Sequence, residues 1–198
     1  CDWSSDVCSS DLEFHGHLSL EVPSKSLHLC AMRRTTATAC FDSPIGAILL
    51  HADDAALVRL KILPHGTAKL GDGPDNHPIL AAAIRQLSEY FAGTRQHFDV
   101  PLQALPGAEG RMLRAAIAAI PYGETRNYGA VADACGSSAR AIGQACKTNA
   151  YPLLIPCHRV ISRAGPEYYS AGDGPKTKSW LLDFEYAHLP PEKRTRLL

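Results

Sequence analysis

Apolar and polar positions change their period several times along the chain, and each change marks an element. Residues 46–50 and 56–63 are two β-prone runs separated by Asp53-Asp54, which predicts a hairpin opening a small sheet. Ile79, Leu80, Ala83, Ile84, Leu87, Tyr90 and Phe91 then recur at helical spacing, with Gly93 placed as a C-terminal stop. Residues 101–110 carry two Pro and two Gly and are the expected inter-domain link. From Arg111 the pattern is helical again: Met112, Leu113, Ala116, Ile117 and Ile120 share one side before Pro121 ends the element. Residues 128–134 predict a short second helix, and Cys135-Gly136-Ser137 breaks it. Ser138 can then cap a third helix reaching about Asn149, with Ile142 and Cys146 one turn apart and facing inward. Helix, tight turn with glycine, helix is the helix-turn-helix pattern. On the third helix Arg140, Gly143, Gln144 and Lys147 share a face, and a glycine inside a helix marks close approach of another backbone.

Composition narrows the class. The 198 residues are 45 % hydrophobic, with 20 basic and 20 acidic side chains, which describes a globular chain of one or two small domains. The zero net charge hides an asymmetry. Residues 111–165 hold seven basic groups against Glu124 and Asp133, a net of +5, whereas residues 35–110 hold five basic against eight acidic, a net of −3. A nucleic-acid-facing half joined to a passive half would show that division. Seven cysteines without a Cys-x-x-Cys pair point to free thiols in a reducing cytosol rather than a disulfide scaffold. No apolar run is long enough to span a membrane, and no basic-then-apolar leader opens the chain. Residues 2–12 look like translated adapter sequence, so residues 1–34 are read as a non-native or disordered leader.

The candidate chemistry lies in residues 154–161, where Cys157-His158-Arg159 interrupts an apolar, strand-like run. Cysteine attacks as the thiolate, and a neighbouring imidazole is the usual means of producing one near neutral pH. A buried strand whose Cys is merely a small hydrophobe is the plainer alternative. Pro156 opposes it, because it cannot donate a sheet hydrogen bond, and His158 and Arg159 are costly to bury unpaired. The end of the apolar strand is therefore expected to form the lip of a pocket.

Ile155-Pro156-Cys157-His158-Arg159-Val160 resembles the active-site signature of the O6-alkylguanine-DNA alkyltransferases, the methylated-DNA–protein-cysteine methyltransferases. Pro121-Tyr122-Gly123, Tyr128-Gly129, Ala139-Arg140-Ala141-Ile142-Gly143, Asn149, Tyr169-Ser170 and Leu181-Leu182 with Glu185 follow in the family's order and close to its spacings. The resemblance covers residues 36–186 and looks most like the bacterial members. It implies an α/β N-terminal domain of ribonuclease-H-like shape over residues 35–105. A mostly α, winged helix-turn-helix domain holding the cysteine would follow over residues 106–198.

The resemblance also implies roles. Cys157 would accept the alkyl carbon from O6 of guanine, with O4 of thymine as a second candidate, in one irreversible turnover per molecule. Glu185 would orient His158, which reaches the thiol through a water, because neighbouring side chains on an ideal strand point to opposite faces. Asn149 would hold the third helix against the Cys157 segment. Tyr128 would help rotate the nucleotide and donate a proton to the departing guanine, and Arg140 would fill the stack after base flipping, with Gly143, Gln144 and Lys147 beside it on DNA. Val160, Tyr169 and Ser170 would line the base pocket. The implied partner is double-stranded DNA carrying O6-alkylguanine, met by a cytoplasmic monomer without cofactor. Some family members bind zinc in the N-terminal domain, but residues 51–58 offer no matching Cys and His set, so no metal is expected. Departures are Asn127 for the usual Ser or Thr, Ala150 for the usual Pro, a Pro and an acid in Gly165-Pro166-Glu167, and Asp173. Two rivals stay open: an alkyltransferase-like protein that binds damage without transfer, and a Cys-His hydrolase that turns over repeatedly.

Overall fold

The computed structural model of the chain describes residues 36–67, 76–163 and 168–194. The expected leader and Gly165-Pro166-Glu167 lie outside the described residues. Strands β1 (Ala37–Ser43), β2 (Gly46–Ala52) and β3 (Leu57–Ile62) form an antiparallel sheet in the order β1-β2-β3. The hairpin of β2 and β3 was expected; β1 was not, because Ala37-Thr38-Ala39-Cys40 lacks the branched and aromatic side chains that announce a strand. Pairing supplies what propensity does not, since every residue of β1 faces one of β2, as in Phe41 opposite Ile48. The turn between them needs glycine at 46. Its φ is +106°, and a Cβ there would lie 2.3 Å from the Leu63 carbonyl oxygen.

Helix α1 (Pro78–Phe91) lays Leu80, Ala83, Leu87 and Tyr90 into the core. It starts with proline, which loses no helical bond there, and stops before Gly93 at φ +74°. Helix α2 (Ala108–Ala118) begins three residues before the expected Arg111, because Gly107 at φ +81° makes the turn inside the segment expected to be a link. Leu113, Ile117 and Ile120 are buried as expected, but Met112 is 39 % exposed.

Helices α3 (Tyr128–Ala134) and α4 (Ala139–Lys147) form the helix-turn-helix. Both have side-chain N-caps: Asn127 Oδ1 accepts from the Ala130 N–H and Ser138 Oγ from the Ala141 N–H. The Asn127 departure from the family pattern thus keeps a capping side chain. Short strands β4 (Arg126–Asn127) and β5 (Val160–Ile161) pair in parallel, and α5 (Pro175–Ala187) closes the fold.

The free edge of β3 joins these parts. Leu57 N–H donates to the Pro101 carbonyl, Gln103 N–H to the Leu57 carbonyl, Leu60 N–H to the Ala150 carbonyl and Gly172 N–H to the Ile62 carbonyl, all at 2.8–3.1 Å. An edge that could pair with another chain is instead covered by segments that lead to and from the Cys157 region. The described residues form one compact unit.

Candidate active site

Cys157 does not sit on a strand. Cys157–Arg159 is a single 3-10 turn, and extended structure resumes only at Val160. Pro156 lacks the N–H that pairing would need, and the preceding backbone is already bent, with Leu153 at φ +74°. Cys157 N–H turns back to the Ile155 carbonyl at 2.8 Å and Arg159 N–H to the Pro156 carbonyl at 3.0 Å. The opposite-face rule for strand neighbours therefore does not govern His158, whose backbone N–H acts on the thiol while its ring is turned to Glu185.

Asn149, just beyond α4, clamps this turn. Its Nδ2 donates to Cys157 Sγ at 3.1 Å and to the Ile155 carbonyl at 2.9 Å, and its Oδ1 accepts from Tyr151 N–H at 3.0 Å. Lys178 of α5 is 1 % exposed and donates to the carbonyls of Val160 (2.7 Å) and Tyr168 (3.1 Å). Burial pushes the Cys157 thiol above its usual pKa, while the Asn149 hydrogen bond and the Lys178 charge pull it down without reversing the shift. The resting group is a protonated thiol, with Asn149, Lys178 and the backbone N–H groups of Cys157 and His158 arranged to favour its anion.

Behind the turn, Glu185 is completely buried and gathers donors from four places. Its Oε1 accepts from His158 Nε2 (2.8 Å), Tyr90 Oη (2.8 Å) and Arg159 Nη2 (2.9 Å). Its Oε2 accepts from Arg159 Nε (2.9 Å) and Gly123 N–H (3.0 Å). Burial pushes this carboxyl up, but His158 and the Arg159 guanidinium outweigh it and hold the group well below the usual carboxylate range. Burial likewise pushes His158 below its ordinary value against the pull of Glu185, so the ring is neutral near pH 7. With Nε2–H committed to Glu185, Nδ1 is left as the acceptor nitrogen, and it is buried without a partner among the described residues.

On its other side Cys157 opens onto a cavity of about 660 Å³, lined also by Tyr128, Gly143, Cys146, Lys147, Tyr169 and Ser170. The Tyr169 hydroxyl is buried there without a partner among the described residues. Burial pushes Cys146 to about 12, so that neighbouring thiol is inert at neutral pH. The loop carrying Tyr169 and Ser170 is tied to the sheet by the Gly172–Ile62 bond and by Asp173, whose Oδ2 meets His65 Nδ1 at 2.5 Å. The extra acid at 173 is thus partnered by His65 rather than left facing the cavity.

The fold brings Cys157, Tyr128, Gly143, Lys147, Tyr169 and Ser170 around one space, with Asn149, His158 and Glu185 behind the thiol. Arg140 and Gln144 lie exposed on α4 outside the cavity lining, and Gln144 instead borders a second cavity of about 400 Å³ between α2 and α4. Val160 is fully buried and contributes its carbonyl to Lys178 rather than a wall to the cavity. Sequence reasoning missed Tyr90, Gly123 and Lys178. Arg159 alone left a signal, the cost of burying it unpaired. Among the described residues no group of three or more His, Cys, Asp or Glu side chains could hold a metal ion, and no helix is long and apolar enough to cross a membrane.

Known proteins are similar to this chain in sequence and fold. Residues 33–104 match the family model for the ribonuclease-like domain of 6-O-methylguanine DNA methyltransferase, and residues 110–187 match that for its DNA-binding domain. The methylated-DNA–protein-cysteine methyltransferase of Mycolicibacterium paratuberculosis is 37 % identical over 152 residues, which cover 75 % of this chain and 92 % of that protein. The crystal structure of Mycobacterium tuberculosis O6-methylguanine methyltransferase superposes with a TM-score of 0.68 at 33 % identity, covering 79 % of this chain and 96 % of the other. Its counterpart in complex with DNA superposes with a TM-score of 0.65 at the same identity and coverage.

Proposed function

The chain belongs to the 6-O-methylguanine DNA methyltransferase family, and on that premise we propose that Cys157 takes the alkyl group from O6-alkylguanine in duplex DNA, once per molecule. It is a DNA-repair methyltransferase that reverses damage directly, and its partner is DNA. The observation that carries the assignment of the acceptor is that Cys157 lines a large cavity shared with α4, the second helix of the helix-turn-helix.

In this reading the target base leaves the duplex and enters the cavity, at a cost of a few kcal/mol that cavity contacts and a side chain inserted into the stack offset. Arg140, exposed on α4, is that side chain, and Gly143, Gln144 and Lys147 approach the backbone beside it. Tyr169, whose hydroxyl has no partner among the described residues, and Ser170 meet the base. The thiol proton passes through water to His158 Nδ1, while Glu185 holds Nε2–H and Asn149 and Lys178 favour the thiolate. Sulfur then displaces O6 at the alkyl carbon: the S–C bond forms, the C–O6 bond breaks with its electron pair going to the base, and Tyr128 supplies a proton to the departing guanine. The thioether has no carbonyl for water to attack, so the protein is spent. A protein that only bound damage would not need this thiol, and a hydrolase would not stop. The chain acts as a monomer in the cytoplasm, where a reducing medium keeps the acceptor thiol free.

Intact mass spectrometry after mixing with duplex DNA carrying O6-methylguanine tests the proposal. The protein gains one methyl group, on Cys157, and no more as substrate is added in excess. Cys157→Ser gains none and still binds the duplex, because the hydroxyl keeps the shape but hardly ionises. Continued demethylation beyond one equivalent, or any by Cys157→Ser, would overturn the assignment.

A further inference from the structure

Among the described residues every hydrogen-bond partner of Glu185 but one comes from residues 123–159; the exception is Tyr90 of α1, which lies in the ribonuclease-like segment. Its ring is fully buried, with ring centroids of Phe91, Phe98, Tyr122 and Phe184 at 5.2–6.1 Å. That packing would suit a phenylalanine equally well. The hydroxyl is the part packing does not explain: it donates at 2.8 Å to the same Glu185 oxygen that holds His158 Nε2, also at 2.8 Å. A buried phenol needs some acceptor, but here the acceptor is the carboxylate that orients the imidazole beside Cys157.

We propose that Tyr90 is a positioning residue for alkyl transfer, acting through Glu185 to set the orientation and basicity of His158. This rests on the reading of Cys157 and His158 as the transfer centre. Three donors share Glu185 Oε1, and each charge-assisted bond draws on the same lone-pair density. The phenol therefore limits how strongly the carboxylate pulls on His158 Nε2–H, and with Gly123 N–H on Oε2 it keeps the carboxylate from rotating. The charged or titratable groups acting on His158 are Glu185, Arg159 and Lys178; those acting on Glu185 include His158 and Arg159, with Tyr90 and Tyr122 close by. Tyr90 itself stays protonated, because burial and the Glu185 charge push it well above the ordinary phenol value.

The test compares the wild-type chain with Tyr90→Phe, which keeps the ring and removes only the donor. Single-turnover transfer from O6-methylguanine duplex is followed against pH, and the His158 Nε2 proton is followed by NMR. In Tyr90→Phe that proton moves downfield, the acid limb of the rate profile moves to higher pH, and transfer at about pH 6 falls roughly tenfold, the scale of one hydrogen bond to a charged group. Duplex binding is unchanged. A fluorinated tyrosine at 90, of the same shape but a stronger donor, shifts the proton and the acid limb the other way and decides the matter should Tyr90→Phe fold poorly. An unmoved His158 proton and an unmoved profile in whichever variant folds, even with lower stability, would make the bond purely structural and overturn the proposal. A wild-type protein that takes up no methyl group would sink the transfer reading instead, while the His158 proton would still report on Tyr90.

Discussion

At the scale of single residues, one carboxylate organises the site, and its titration has a definite sign. Glu185 has a pKa in the folded chain below the 4.5 of a free carboxyl, so the stability it contributes is complete above that value and is lost as the pH falls through and below it. His158 is pushed below 6.5 by burial, so the unfolded imidazole binds a proton that the folded one refuses. Stability linked to it is complete above 6.5 and falls as the pH drops below. The two effects add. Denaturant midpoints measured across pH should therefore decline in two stages, first below 6.5 and again below 4.5, and a level profile through this range would contradict the buried pair. Glu185→Gln keeps the shape but leaves the Arg159 cation buried beside a neutral amide, at a cost of about 3–5 kcal/mol. It should also slow transfer without abolishing it; an unchanged rate in the folded variant would remove Glu185 from the relay.

At the scale of elements, α4 combines a cap, a core stripe and an exposed basic face within nine residues. Ser138 starts it, Ile142 buries completely, and Arg140, Gln144 and Lys147 remain exposed. Gly143 is not explained by packing among the described residues, where a Cβ would meet nothing nearer than Tyr128 Cε1 at 4.0 Å. Glycine in a helix interior costs up to about 1 kcal/mol relative to alanine, so its gain has to lie outside the free protein. Gly143→Ala should raise the melting temperature and at the same time weaken binding to duplex DNA. Thermal unfolding and a duplex titration read the two effects separately. Equal or tighter duplex binding would mean that no other backbone comes close at this position.

At the scale of the whole molecule, the sheet half and the helix-turn-helix half share their supports. The edge of β3 carries the segments at Pro101, Ala150 and Gly172, while Tyr90 and Phe91 of α1 pack on Phe184 and Trp180 of α5. Damage to α1 should therefore be felt at α5. Leu87→Ala removes a fully buried side chain and should cost about 2–5 kcal/mol. The chain has two tryptophans, so a Trp3→Phe background leaves Trp180 as sole reporter. Its fluorescence should show one denaturant transition, moved to lower concentration by Leu87→Ala. A Trp180 transition indifferent to that change would mean that the halves unfold independently.

Much of this was local and could be read without coordinates. Helical periods placed α1, α3 and α4, Ser138 declared its own cap, and the Cys157-His158 pair with Pro156 pointed to a thiol at a pocket, because these features depend on side chains within a few residues of one another. Strand β1 was not legible, since pairing with β2 rather than propensity makes it a strand, nor was the 3-10 turn at Cys157, since an apolar run does not report the bend at Leu153. Of the donors on Glu185, His158 was implied by the resemblance, but Tyr90 and Gly123 were not legible, since they lie 95 and 62 positions from the carboxylate they bind, and no periodicity encodes a contact across such separations. Sequence by itself determined which side chains could do the chemistry and which helix could meet DNA. Tertiary structure alone decided which buried charges meet, because a carboxylate, a guanidinium and an imidazole can leave water only when the packed chain supplies each with its partners.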